Sequence, residues 1–236
     1  MIKASEKASK TIIRDFGELE KLQVSKKGPL DFVTNSDFKV EQIIINELKK
    51  AKPNYSIISE ENGVEKNKDE KNTWIIDPID GTINFLHGLP HFAISLALKS
   101  NDEIVSGLIF DPIKNEMFFA EKDNGAFFNN HRIRVSKKNN LKECLFATGG
   151  EIDNKLELPY RKSGCAALDM AYVAAGRYDG YFQNDLNIWD IAAGLILVKE
   201  AGGIINKIDL SVNKKIKIIA SSADINSKLL EKLNNF

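Results

Sequence analysis

A chain of 236 residues is long enough to bury a sizeable core, as one large or two small domains, and its 33 Lys plus Arg against 33 Asp plus Glu leave no net charge. That balance excludes a global field drawing the protein to nucleic acid or to a membrane surface, so direct nucleic-acid binding is not expected and the acidic groups matter locally. Cys144 and Cys165 sit among apolar or small residues and read as reduced thiols; no apolar run approaches the roughly 18 residues of a membrane helix, so a soluble cytoplasmic protein is expected.

In chain order, Ala4, Ala8, Ile12, Phe16 and Leu19 recur at helical spacing and predict an amphipathic helix over 4–22, ended before Gly28 and Pro29. A second helix is predicted from about Asp37 to Lys50, capped by Asn35 and Ser36, with Pro53 beyond its end. Asp37 in its first turn reads by itself as an acid that complements the helix dipole. A short strand over 55–58 leads to the adjacent acids Glu60 and Glu61, ordinarily solvated, and the polar stretch 62–73 reads as a mobile loop able to close over a site.

The centre of the chain is WIIDPIDGTINF, residues 74–85. Trp74, Ile75 and Ile76 predict a buried strand ending at Asp77. Pro78 fixes φ and lacks an N–H, so it is expected to stop the strand and aim Asp77 and Asp80 into one small space. Two such carboxylates stay ionised at neutral pH only with a cation between them; otherwise one pKa rises. Gly81 and Thr82 then open a short helix whose free N–H groups point the same way, so a cation and an anion can meet there. Taken alone, the pattern reads equally well as an Asp-rich strand-end turn.

Strands over 92–99, 103–110, 116–120 and 126–129 predict an antiparallel meander. His87 and His91, with Gly88 and Pro90 between them, read as packing or loop histidines before a zinc pair. Beyond Cys144 the expected order is helix 166–175, strand 178–183, helix 189–201, strand 216–221 and a C-terminal helix, with Asp190 reading by itself as a helix cap. No flexible linker appears, so lobes over 1–140 and 141–236 are expected to pack as one body.

The central motif, SEENG (59–63) and WDIAAG (189–194) together resemble the inositol monophosphatase family of magnesium-dependent, lithium-sensitive phosphatases. KGPLDFVTNSD (27–37), LPHFAISLAL (89–98) and RKSGCAALDMAYVAAGRYDGYF (161–182) extend the likeness over nearly the whole chain, most like the bacterial branch. The resemblance implies an α+β fold, a layered αβαβα sandwich, with the metal site on the N-terminal lobe and the pocket completed by the C-terminal one, and commonly a homodimer. It implies Glu60, Asp77, the carbonyl of Ile79, Asp80 and Asp190 as ligands for two or three Mg2+ ions. These are hard oxygen donors with no accompanying His or Cys cluster, which suits magnesium.

Metal-coordinated water is then the nucleophile, with Asp37, Thr82 and Glu60 in catalytic roles. Asp80, Gly81, Thr82, Gly164, Cys165, Ala166, Gln183 and Asp190 are the implied substrate contacts. A reading with Asp77 as an aspartyl nucleophile stands beside this, although the D-x-x-D spacing suits direct attack by water. Gln183 stands where many family members have glutamate. Between Thr148 and Arg161 the chain is shorter than the family usually runs, which bears on the pocket rim and the dimer surface. The expected substrate is inositol monophosphate. Alternatives are a 3'(2'),5'-bisphosphate nucleotide, fructose 1,6-bisphosphate or histidinol phosphate, and, from another class, a protein-interaction role in a transcription complex.

Overall fold

In the computed structural model the described residues are 1–21, 24–28, 31–150, 158–210 and 214–233. Two-residue alternation sets the architecture. Along β5 (Asp69–Asp80), Trp74 and Ile76 enter one apolar cluster while Ile75 enters another on the opposite face. β3 (Tyr55–Ser59), β6 (Ala93–Ser100), β7 (Glu103–Asp111) and β8 (Glu116–Glu121) divide their apolar residues the same way. A sheet apolar on both faces must be covered on both.

One face is covered by α1 (Ile2–Phe16) and α2 (Asn35–Ala51), through Ala8, Ile12, Val40, Ile44 and Leu48. The other receives α4 (Ala166–Ala174) and α5 (Ile188–Glu200). These two helices are apolar almost all round, as helices buried between two sheets must be. Their far side meets a second sheet through Tyr181, Ile218 and Ala220, and α6 (Ala223–Lys232) closes its outer face over Phe146, Phe182 and Ile219. The layers run αβαβα, as the family resemblance implied.

With β4 (Gly63–Glu65), β9 (Gly125–Phe128) and β10 (His131–Arg132), the large sheet has the order β10-β9-β8-β7-β6-β5-β3-β4. The predicted meander is its β6 to β9 part, every pair antiparallel. The second sheet joins β11 (Phe146–Ala147), β12 (Tyr160–Arg161), β13 (Gly180–Leu186), β14 (Gly203–Ile205) and β15 (Ile216–Ser222) in the order β12-β11-β13-β15-β14. A hairpin of β1 (Val24–Gly28) and β2 (Asp31–Thr34) precedes α2, and α3 (Thr82–Leu86) follows β5.

Four expectations need correction. Pro78 does not stop the strand: β5 continues to Asp80 through a bulge, one of the few interior sites that tolerate a residue without an N–H. The first helix ends at Phe16, with a 3-10 turn over Leu19–Lys21. Thr34 caps α2 in place of Asn35 and Ser36: its hydroxyl accepts from the N–H groups of Ser36 and Asp37, and Asp37 answers at the Thr34 N–H. Much of the stretch 62–73 is strand, β4 and the start of β5; β4 is an edge, where polar residues are the rule. The shortened region after Thr148 includes 151–157, outside the described residues.

Candidate active site

The bulge in β5 is the first element of the site. On an unbroken strand, residues three apart point to opposite faces. Here Asp77 pairs with Ser95 and Asp80 with Ala93, so three steps on β5 match two on β6 and both carboxylates stand on the face that meets α4 and α5. Asp77 is 2% exposed, and its Oδ1 accepts from the Ile79 N–H at 3.0 Å, bridging the bulge.

The turn that follows is clamped to the second half of the chain. Gly81 has φ of +92°, and a Cβ there would lie 3.1 Å from the His91 carbonyl and 3.2 Å from that of Gly164. Only glycine meets both the left-handed conformation and that approach. Gly164, at φ +79°, packs against Asn84, whose Nδ2 donates to the carbonyls of His91 and Ser163 at 2.8 Å each. The Thr82 hydroxyl donates to the Ile79 carbonyl at 3.0 Å, closing the turn on itself.

Through this clamp the N-terminus of α4 faces Asp80. The Ala167 N–H donates to Asp80 Oδ2 at 2.6 Å and the Cys165 thiol to the same oxygen at 3.1 Å. Burial pushes the Asp80 carboxyl up to about 6 even though these donors favour its charged form. Asp190, in the first turn of α5, accepts from the Asn187 N–H at 2.7 Å. Burial first, then the Asp80 charge, takes it to about 7, against the pull of Lys215. Asp77 is raised well above the carboxylate range, by burial and then by Glu60, Asp80 and Asp190, and it shares a hydrogen bond with the Glu60 carboxyl. Two carboxyl groups bond to each other only across a proton, which a cation replaces.

Glu60, Asp77, Asp80 and Asp190 therefore lie within electrostatic reach of one another at the face between the large sheet and the buried helices. Among the described residues, no group of three or more His, Cys, Asp or Glu side chains is arranged to hold a metal ion as it stands. In kind the donors nevertheless fit a hard divalent cation: four carboxylates that penalise one another, with the Ile79 carbonyl beside them keeping a lone pair beyond the one Thr82 uses. His87 and His91 take no part; His87 bonds the Ile83 carbonyl and His91 packs edge-on to Tyr172.

Asp37, 1% exposed, accepts from the N–H and hydroxyl of Thr34. Gln183 Oε1 accepts from the Tyr181 hydroxyl at 2.7 Å, and its side-chain amide fills the space beside Gly149. Tyr181 is fully buried; burial raises its phenol, and the charges of Asp169, Asp80 and Asp190 add to the rise, which puts Gln183 one side chain from the cluster.

Sequence reasoning passed over Tyr181, Asp169 and Glu41. Asp169 in α4 is buried and accepts from the Ser163 hydroxyl at 2.7 Å, next to Gly164. Glu41 was visible as an acid at i+4 from Asp37, on the stripe that Ile44 and Leu48 continue into the core.

Comparison with known proteins gives the family. The family model described as the inositol monophosphatase family matches residues 1–235. The chain belongs to the inositol monophosphatase family. It is thus an enzyme of the phosphatase class, in a family that is generally metal-dependent. The inositol-1-monophosphatase of Caulobacter vibrioides is 43% identical over 99% of each chain. Among solved structures, the extragenic suppressor protein suhB of Bartonella henselae superposes with a TM-score of 0.92 at 43% identity, covering 99% of this chain and 96% of that one. A gene product named inositol monophosphatase-fructose 1,6 bisphosphatase superposes with a TM-score of 0.87 at 30% identity over 98% of this chain and 95% of its own. No helix among the described residues is long and apolar enough to cross a membrane.

Proposed function

We propose that this phosphatase hydrolyses a small phosphorylated polyol or sugar, inositol monophosphate first, in a cleft between lobes 1–140 and 141–236. The observation that carries the reading is that the bulge sets Asp77 and Asp80 on one face of β5, with Glu60 and Asp190 near enough for their charges to raise the Asp77 carboxyl. These carboxylates and the Ile79 carbonyl would hold two or three Mg2+ ions, whose chemistry when bound is charge neutralisation and Lewis acidity toward the phosphoryl group.

The chain's own groups do the rest. The Thr82 hydroxyl, which donates to the Ile79 carbonyl, keeps lone pairs that accept a hydrogen bond from the attacking water and orient it, with the Asp37 carboxylate as the base that takes its proton and Glu60 beside them. The start of α3 at Gly81 and Thr82 supports the phosphate oxygens. Water forms the new P–O bond as the ester P–O bond breaks; its proton passes to Asp37, and the leaving oxygen takes a proton from a solvent water on the side of Asp190. Gly164, Cys165 and Ala166 form the pocket wall, where small side chains let a polyol approach the backbone.

A test is turnover of inositol 1-phosphate by the purified protein with Mg2+, with excess chelator and with Li+. Turnover that needs Mg2+ and falls with Li+ is expected; full activity in excess chelator would overturn the reading. A homodimer belongs to the same reading, and sedimentation giving a monomer would remove it.

A second substrate is favoured by Gln183. An amide donates as well as accepts and carries no charge, so it does not repel a second phosphate as glutamate would. The enzyme is therefore also proposed to accept fructose 1,6-bisphosphate, a choice in keeping with the name of the 30% identical relative. Gln183→Glu should move relative kcat/KM toward the monophosphate by about 1 to 2 kcal/mol, the charge being partly screened. An unchanged ratio would take Gln183 out of the pocket.

A further inference from the structure

Glu41 is fully buried in α2, and its hydrogen bonds run to the turn between β3 and β4. Oε1 accepts from the Ser59 hydroxyl at 2.8 Å, the Asn62 N–H at 3.1 Å and the Asn62 side-chain amide. Oε2 accepts from the Glu61 N–H at 3.0 Å. These donors bracket Glu60: Ser59 precedes it, and Glu61 and Asn62 follow it. The Glu60 N–H in turn donates to the Ile76 carbonyl at 3.2 Å, one residue before Asp77.

The turn over 60–62 joins the paired strands β3 and β4, with Ser59 opposite Gly63, and the N–H groups of Glu61 and Asn62 lie outside that ladder and need other acceptors. A carboxylate is the side chain that offers acceptors at both of its oxygens and no donor. Glutamine in its place would set an NH2 against a backbone N–H or against the Ser59 and Asn62 donors. Helix α2 carries Asp37 and Glu41 four residues apart, on one buried side, so the element that bears Asp37 also grips the turn that bears Glu60.

We infer that Glu41 is a positioning residue of the cation site: it fixes the Ser59–Asn62 turn so that the Glu60 carboxylate is aimed at Asp77. The inference rests on the reading of Glu60 as a cation ligand. Its expected signature is weakened cation affinity with the fold intact, since partners that orient a ligand commonly contribute about 10- to 100-fold to affinity.

The test is titration of the whole protein with Mn2+, followed by electron paramagnetic resonance without substrate, for wild type, Glu41→Gln, Asn62→Ala and Glu60→Gln, beside circular dichroism and thermal melting. Glu41→Gln should weaken Mn2+ binding about tenfold, and Asn62→Ala, which removes an exposed donor and leaves the core untouched, about two- to threefold. In the Mg2+ dependence of turnover, the half-saturating concentration should rise more than kcat at saturating Mg2+ falls. Wild-type Mn2+ affinity in Glu41→Gln, or in Asn62→Ala should the first variant not fold, alongside loss of affinity in Glu60→Gln, would overturn the role of Glu41 alone. Unchanged affinity in Glu60→Gln would remove both the ligand reading and this inference.

Discussion

Asp77 and Asp80 are carried by a strand, whereas Glu60 and Asp190 are carried by ends. The strand-borne pair is aimed by backbone register, because β5 is paired with β3 as far as Ile76 and with β6 through Asp80, and one bulge turns two carboxylates to one face. The end-borne pair depends on single side-chain and cap contacts: Glu41 behind the turn of Glu60, the Asn187 N–H behind Asp190. The strand makes a stiff half of the site that only backbone changes can shift, and the ends make a half that one side-chain substitution can loosen. The contrast orders what substitutions should do.

The largest effect is expected from the carboxylates themselves. Asp80→Asn and Asp190→Asn should each lower kcat about a hundredfold or more, because they remove charge where it develops and leave packing alone. Steady-state kinetics with circular dichroism checks this, and a variant that keeps its turnover would take its residue out of the site. Gly81→Ala tests the stiff half through its backbone. A side chain at φ +92° against two carbonyls costs about 1 to 3 kcal/mol, so the melting temperature should fall by several degrees and turnover with it. Thr82→Ala removes one hydrogen bond inside the turn; kcat should fall about tenfold, more than KM changes, if the hydroxyl orients the water.

Removing the cation should expose the repulsion that both halves share. Asp80 and Asp190 have folded pKa values of about 6 and about 7, above those of an unfolded chain, so the folded form binds the extra protons. Their contribution is fully present below the unfolded carboxylate pKa near 4 and is lost as pH rises to about 7. In chelator, melting should therefore occur at lower temperature at pH 8 than at pH 5, and divalent cation should recover more of it at pH 8. Equal recovery at both pH values would mean that these carboxylates do not face the ion. The smallest effect lies away from the site, at Glu47, which Lys50 and Lys7 hold down to about 2. Its contribution is present above the unfolded pKa near 4.5 and fades between there and about 2, so Glu47→Gln should flatten the acid limb of a stability profile while leaving kcat unchanged.

The elements with strong period were legible in the chain itself. Ala-rich α4, the largely apolar α5 and the β6 to β9 meander follow from local pattern, since each buries the faces its spacing defines. Within 62–73, β4 reads as a loop because an edge strand carries a loop's polarity, the charged start of β5 carries no apolar pattern, and β11, β12 and β14 are too short to carry one. The four carboxylates were named from their residue types and from the family they resemble. What placed Asp77 and Asp80 on one face was the pairing of β5 with β6, which no spacing within β5 encodes, because a bulge exists only relative to a partner strand. Gly81 against Gly164, Ala167 against Asp80 and Glu41 behind Glu60 likewise join residues far apart in the chain. The sequence by itself determined which groups were available and which faces were apolar. Local contacts orient Asp77 toward the Ile79 N–H and Asp190 toward the Asn187 N–H, but the approach of the four carboxylates to one another was decided by tertiary structure, because it depends on the packing of the two sheets and the helices between them.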